Sequence, residues 1–283
     1  TVSTLDQIYK TIEGRFELIS DGHFKTQTIN NPIAIAAGDD KQVKYGIWAT
    51  PLYNKAIQRM RAGFAGYKMK SSGVMFGGDA EVTDRLLLGL AYGRINSSIS
   101  HHNNREGNKA DNKYNIFSAY GLYNLSHYNF IEGTASYTTI KVTNHKKRLK
   151  AGSSHHRTCQ RASSSYVDKI YNGQLLFGHN FQPSNHLVIS PIAGVRYTHI
   201  NGNMYKEHSA DFKNLFIKRD AYNKWEAILG VRTAALINIG QTLLIPETRI
   251  YLHHDFKGKA PITDVKLGGY PGSLPSKQYK PFK

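Results

Sequence analysis

The sequence predicts an all-β protein: an antiparallel transmembrane β-barrel preceded by one short helix. Three observations carry that expectation. Side-chain character alternates with a period of two over nine segments, these segments are too long for a soluble sandwich, and the connections alternate between short and long in chain order.

The helix comes first. Leu5, Ile8, Ile12, Phe16 and Ile19 recur at three- and four-residue spacing, and Thr4 with Gln7 forms a capping box. The helix is expected to stop near Asp21-Gly22, where the apolar period ends. Residues 26–44 hold turn signals, Asn30-Asn31-Pro32 and Gly38-Asp39-Asp40, and read as a linker. Residues 1–43 therefore form a helix and linker, and residues 44–283 a β-domain.

The nine alternating segments fall at 44–56, 63–82, 85–101, 112–125, 128–142, 165–182, 186–201, 222–239 and 242–256. In the third, Leu86, Leu88, Leu90 and Tyr92 share a face opposite Gly89, Ala91 and Gly93. In the sixth, Tyr171, Leu175, Phe177 and Phe181 oppose Asn172, Gln174, Gly178 and Asn180. The seventh sets Leu187, Ile189, Ala193, Val195 and Tyr197 against Ser190, Gly194, Arg196 and Thr198. The eighth sets Trp225, Ala227, Leu229 and Val231 against Lys224, Glu226, Gly230 and Arg232. Strands of a soluble sandwich average about five or six residues, whereas a bilayer asks for about 9–11 tilted residues of this apolar-out, polar-in kind.

Short turns are expected at Thr83-Asp84, Ser126-His127, 182–185 and Gly240-Gln241, and long connections at 57–62, 102–111, 143–164 and 202–221. Outer-membrane barrels keep short turns on the periplasmic side and long loops outside, so the first segment runs outward. Tyr45, Tyr53, Tyr92, Tyr114, Tyr123, Tyr128, Tyr197 and Tyr251 are expected in the interfacial girdles.

Composition excludes several classes. The longest apolar runs, Leu86–Ala91 and Pro32–Ala37, fall far short of the roughly 18 residues of a membrane helix. The single cysteine, Cys159, makes no internal disulfide and no cysteine-based zinc site. The pairs His101-His102, His155-His156 and His253-His254 put neighbouring rings on opposite faces of a strand, which disfavours a metal site. No Ser, His, Asp or paired-carboxylate arrangement stands in a catalytic context, so no enzyme and no cofactor is expected. The 37 Lys and Arg against 20 Asp and Glu give a net charge of +17. A soluble basic nucleic-acid-binding protein is the alternative that this charge raises, but loop length that alternates with side argues for a barrel. The basic run Asn144–Lys150, with His155, His156 and Arg157, reads as a solvated outer loop able to meet anionic lipopolysaccharide.

Ala37-Gly38-Asp39, Tyr45-Gly46-Ile47-Trp48-Ala49, Gly66-Tyr67-Lys68, Gly77-Gly78-Asp79, Leu88-Gly89-Leu90-Ala91-Tyr92, Leu229-Gly230-Val231-Arg232 and Pro246-Glu247-Thr248-Arg249 form an ordered series. From about Ala37 to Lys283 this series resembles an autotransporter β-domain, of the kind carried by rickettsial surface cell antigens. The resemblance implies an outer-membrane translocator and anchor of type V secretion, in which twelve strands surround one helix in the pore. It also implies an exported N-terminal passenger serving host-cell adhesion or invasion, and partners in the outer-membrane lipid, lipopolysaccharide and the barrel-assembly machinery. About nine of the twelve strands are recognisable, and the Pro-rich stretch 257–283 is no spanning segment, so the domain is expected to be truncated at its C-terminus. Open strand edges cost several kcal/mol per unpaired group in lipid, and nine strands alone are expected not to span a membrane. A general porin-like channel is the second alternative, and it needs no helix in the pore.

On the lumen face the expected residues are Arg196, Glu226, Arg232, Glu247 and Arg249, and on the pore helix Lys10, Glu13, Arg15 and Glu17, with ion pairs between the two sets. Asn30 and Asn31 resemble the Asn-Asn junction at which some autotransporters release the passenger, although a turn before Pro32 explains them equally well.

Overall fold

The computed structural model describes residues 6–16, 45–60, 65–149, 159–184, 186–210, 214–239, 242–256, 263–267 and 277–279. Helix α1 occupies residues 6–16. Glu17, Asn30 and Asn31, the capping Thr4 and the expected helix stop lie outside the described residues.

The wall begins with β1 (Tyr45–Gln58), β2 (Tyr67–Thr83), β3 (Leu86–His101), β4 (Lys109–Asn124), β5 (Asn129–Leu149) and β6 (Cys159–His179). A break at Asn180 separates β6 from its short continuation β7 (Phe181–Ser184), and β8 (Leu187–Ile200) follows. Above it β9 (Asn203–Lys206) and β10 (Leu215–Arg219) form a hairpin, and β11 (Tyr222–Ala235) re-enters the wall. A small ladder of β12 (Ile237–Ile239) and β13 (Thr242–Leu244) precedes β14 (Glu247–Asp255), and β15 (Thr263–Leu267) and β16 (Lys277–Tyr279) end the series.

All pairing is antiparallel, and the main sheet runs β1-β2-β3-β4-β5-β6-β8-β11-β14, with β7 also on β8. These nine wall strands correspond to the nine segments read from the sequence. Among the described residues the path is open, since β1 pairs only with β2 and β14 only with β11.

Face assignment follows the two-residue period. Leu88, Leu175 and Leu229 are 47%, 55% and 59% exposed, while Gly89 and Gln174 are buried and Gly230 is half-buried on the other face. The inner face differs from the expected small and polar surface. Leu87, Met75, Ile95, Tyr114, Ile116, Ile140, Ile170, Ile192 and Ile228 are buried there with Ile8, Ile12 and Phe16 of α1. The helix lies in the concavity and supplies apolar partners, so inward side chains need not be polar. Tyr114, fully buried, and Tyr251, packed against this core, are therefore not girdle residues.

The outer ends differ as well. The expected loop 143–164 is mostly strand, because β5 and β6 stay paired from Asn129↔His179 up to Leu149↔Cys159. The expected loop 202–221 contains β9 and β10, and the Pro-rich stretch contributes β15 and β16. Together they form a second sheet, β16-β15-β10-β9. Its sequences lack a long alternating pattern because strands of three to five residues need little of one. At the other end, Pro246 interrupts the expected ninth segment, and β14 starts only at Glu247.

Candidate functional site

The site is the lumen and the helix within it. Ile8, Ile12 and Phe16 form the apolar stripe of α1, and Phe16 meets Tyr120 edge-on with ring centroids 5.6 Å apart. Asp6, Tyr9 and Glu13 follow at helical spacing on another face and meet β6 and β8.

Two polar clusters hold the helix. In the first, Arg15 donates from Nε to Asp79 Oδ2 at 2.8 Å and from its terminal nitrogen to Oδ1 at 2.9 Å. Tyr120 donates its hydroxyl to Asp79 at 2.9 Å, and Trp48 donates its indole N–H to that hydroxyl at 2.7 Å. Three elements of the wall, β1, β2 and β4, thus converge on one arginine of α1. Gly46 and Gly89 keep the cluster compact: a Cβ on Gly46 would meet the Arg15 guanidinium, and one on Gly89 the Tyr120 ring.

In the second cluster Arg196 is the hub. It donates to Asp6 at 2.9 Å and to Gln174 Oε1 at 2.8 Å, and its guanidinium lies 4.1 Å from the centroid of the Tyr9 ring. Gln174 in turn donates to Glu13 at 2.8 Å, so one wall residue bridges the helix carboxylate to the wall arginine.

The expected ion pairs form in part and with different partners. Arg196 pairs with Asp6, which was not among the expected residues, and Arg15 pairs with Asp79. Arg232 faces Glu132 of β5 at 3.6 Å, and Glu226 pairs with Lys224 of its own strand at 2.5 Å. Arg249 stands 3.7 Å from the Cβ position of Gly14 and lines, with Lys10, Glu13, Tyr251 and His253, a cavity of about 500 Å³ between α1 and β8, β11 and β14. Lys10 is exposed, and Glu247 is half-buried on the inner face of β14. A second groove of about 490 Å³ separates α1 from β1. Asp79 was legible as an inward residue from its parity in Gly77-Gly78-Asp79, and Asp6 from its place on the Tyr9 and Glu13 stripe; their partners were not.

The direction of the helix follows from these contacts. Trp48, Asp79 and Tyr120, which meet its C-terminal end, lie toward the short-turn ends of their strands. At the other end Gln7 donates to the Tyr53 carbonyl, farther toward the long-loop side. The N-terminus of α1 therefore points to the side that carries the second sheet.

That sheet is fastened to the wall. Arg219 of β10 pairs with Asp168 of β6 and lies 4.7 Å from the Tyr166 ring, which stacks on Tyr205 at 4.1 Å. Lys146 reaches the buried Glu207 at 3.1 Å, so this member of the expected basic loop run turns inward. Burial pushes the Tyr205 hydroxyl above its ordinary value. Among the described residues no group of His, Cys, Asp and Glu is arranged to hold a metal ion.

The curled antiparallel wall, the helix in its concavity and the helix N-terminus on the long-loop side go with one family. A model described as "Autotransporter beta-domain" matches residues 47–281. The chain belongs to the autotransporter β-domain family. Outer membrane protein A of Rickettsia conorii is 34% identical over 260 residues, covering 92% of this chain and 13% of that protein. Outer membrane protein B of Rickettsia prowazekii is 31% identical over 237 residues, covering 83% of the chain and 14% of that protein. The chain thus spans about an eighth of the length of these outer membrane proteins. Among solved structures, the translocator domain of the autotransporter NalP from Neisseria meningitidis aligns with a TM-score of 0.54 and 13% identity, over 93% of this chain and 92% of that one. The β-domain of the Bordetella autotransporter BrkA also aligns at 0.54, with 18% identity over 80% and 87%. This autotransporter β-domain is an outer-membrane domain similar to those of the rickettsial outer membrane proteins.

Proposed function

We propose that this β-domain anchors a surface antigen in the outer membrane and passes an N-terminal passenger outward through its lumen, leaving α1 inside. One observation carries the reading: α1 lies against the inner face with its N-terminus toward the long-loop side. A polypeptide preceding Asp6 then leaves at the outer mouth. Residues 1–43 act as pore helix and linker, and 44–283 as the anchoring wall. Arg15, Glu13, Arg196 and their partners Asp79, Gln174 and Asp6 retain the helix. The passenger serves host-cell adhesion or invasion, by kinship with the rickettsial outer membrane proteins. Assembly needs the barrel-assembly machinery and contact with lipopolysaccharide, and no catalysis is ascribed to the domain. A general porin needs a free lumen, and the buried Ile8, Ile12 and Phe16 favour the translocator.

The test places an epitope tag directly before Thr1, appends three family-like strands after Lys283 because the described wall is open, and expresses the protein behind a signal peptide in bacteria, with external protease as the probe. The tag is expected on the cell surface and protease-sensitive in intact cells. A tag accessible only after the outer membrane is broken overturns the proposal.

A further inference from the structure

The exterior of the wall carries a charged surface that the lumen does not use. Arg94 of β3, Lys113 of β4, Lys141 of β5 and Lys169 of β6 are all exposed on the lipid-side face. Register brings them together. Lys113 stands directly opposite Lys141, Arg94 opposite Asn115 two residues from Lys113, and Lys169 opposite Thr139 two residues from Lys141. Directly opposed residues lie about 5 Å apart and diagonal ones about 7–8 Å, so four cations on four successive strands are neighbours. Among the described residues none of the four is in an ion pair with a carboxylate. The nearest acid in register is Asp111, two residues from Lys113 on the same face. Farther along the wall Lys55 is again directly opposite Lys70.

Like charges directly opposed across strands are destabilising unless a counter-charge lies between them. The face next to the quartet says what kind of molecule brings it. One row nearer the short-turn end, Tyr92, Phe117, Tyr137 and Tyr171 are in register, with ring centroids 4.9 Å apart for Tyr92 and Phe117 and 5.1 Å for Tyr137 and Tyr171. Beyond them come Leu88, Leu90 and Leu175, all exposed. From Tyr123, near the short-turn end of β4, to Lys113 the strand climbs about 33 Å at ~3.3 Å per residue. At a tilt of about 40° that is ~25 Å along the barrel axis, the height of an apolar membrane band. Apolar surface, aromatic row and cations thus follow one another in the order of acyl chain, interface and phosphate.

We infer that Arg94, Lys113, Lys141 and Lys169 form a binding site for the phosphates of an outer-leaflet glycolipid of the lipid A type, whose acyl chains lie on the exterior below. The inference rests on the membrane orientation adopted above. Its occupant is a membrane amphiphile rather than a soluble polyanion, because the cations border the lipid-facing surface and not the outer sheet.

The test refolds the 283-residue chain in neutral detergent micelles. Refolding itself, read by circular dichroism and heat-modifiable mobility, answers for the barrel. Among refolded proteins, titration calorimetry compares bisphosphorylated lipid A, dephosphorylated lipid A and heparin. K113Q/K141Q is expected to weaken bisphosphorylated lipid A about thirtyfold, the effect of removing two basic residues from an anionic lipid surface. K218Q/K266Q, with the same charge change on the outer sheet, is expected to leave it unchanged, and dephosphorylated lipid A to bind the two variants alike. If K113Q/K141Q does not refold, R94Q and K169Q carry the same comparison. Unchanged affinity in the wall variants, an equal loss in K218Q/K266Q, or heparin binding that depends on Lys113 and Lys141 as strongly as lipid A binding does, overturns the site.

Discussion

Replacing Arg15 by Ala tests how the helix is retained. Arg15 gives two charge-assisted hydrogen bonds to Asp79, and the side chains are 20% and 3% exposed. Removing one partner of a fully buried pair costs about 3–5 kcal/mol, because the other charge stays desolvated. Asp79 keeps the Tyr120 hydroxyl, and Arg15 is within reach of water, which lowers the expected cost to about 2–3 kcal/mol. That corresponds to a loss of roughly thirty- to a hundred-and-sixtyfold in helix docking. Asp79→Asn should cost less, since the released guanidinium can hydrate, and the double variant should show a coupling of about 1.5–3 kcal/mol. The assay uses Trp48, one of two tryptophans in the chain, whose N–H bonds to the Tyr120 hydroxyl of the same cluster. In a Trp225→Phe background its emission follows the cluster through a urea titration in micelles. An unchanged midpoint for Arg15→Ala, or strict additivity with Asp79→Asn, would refute the idea that this pair retains the helix.

Further outcomes follow from other parts of the structure. In a version completed to twelve strands, Leu88→Arg should oppose folding into bilayers by about 2–4 kcal/mol, whereas Met204→Arg, at similar exposure on the outer sheet, should shift stability by no more than ~0.5 kcal/mol; equal penalties in vesicle refolding would contradict the membrane boundary. Gly89→Ala should displace the Tyr120 ring and weaken helix docking by about 1–3 kcal/mol, read as earlier loss of Trp48 emission. Arg219→Ala removes the pair with Asp168 and the contact with Tyr166, and hydrogen exchange should quicken in β9 and β10 while β3 and β4 stay protected. Tyr205 titrates above its unfolded value, so its contribution is full below about pH 10 and falls as the pH rises further; Tyr205→Phe should flatten that alkaline decline in a thermal-unfolding series.

The lumen shows what each level of information settles. Period-two alternation told that Leu88 and Gly89 face opposite ways, because successive side chains of any strand do so. It did not tell whether Tyr114 points in or out, since Ile116 on its face and Phe117 on the other are both large and apolar. The burial of Tyr114 depends on α1 lying in the concavity. In the same way Asp6, Tyr9, Glu13 and Arg15 were legible as polar positions of a helix, but their partners were not. Arg15 and Asp79 are 64 residues apart, and Arg196 and Asp6 are 190 apart. Such pairs are set by the height and rotation of the helix in the lumen.

By itself the sequence determined the nine wall strands, the opposite facing of neighbours such as Leu88 and Gly89, the end of the sheet that holds the short turns and the presence of a helix before them. Each of these depends on a residue and its near neighbours, through a period or a turn signal. Only the tertiary structure decided the second sheet, where β10 meets β15, and the cation quartet, where Lys113 meets Lys141. Register is a property of two strands together, and a slip of one residue would send either lysine to the opposite face.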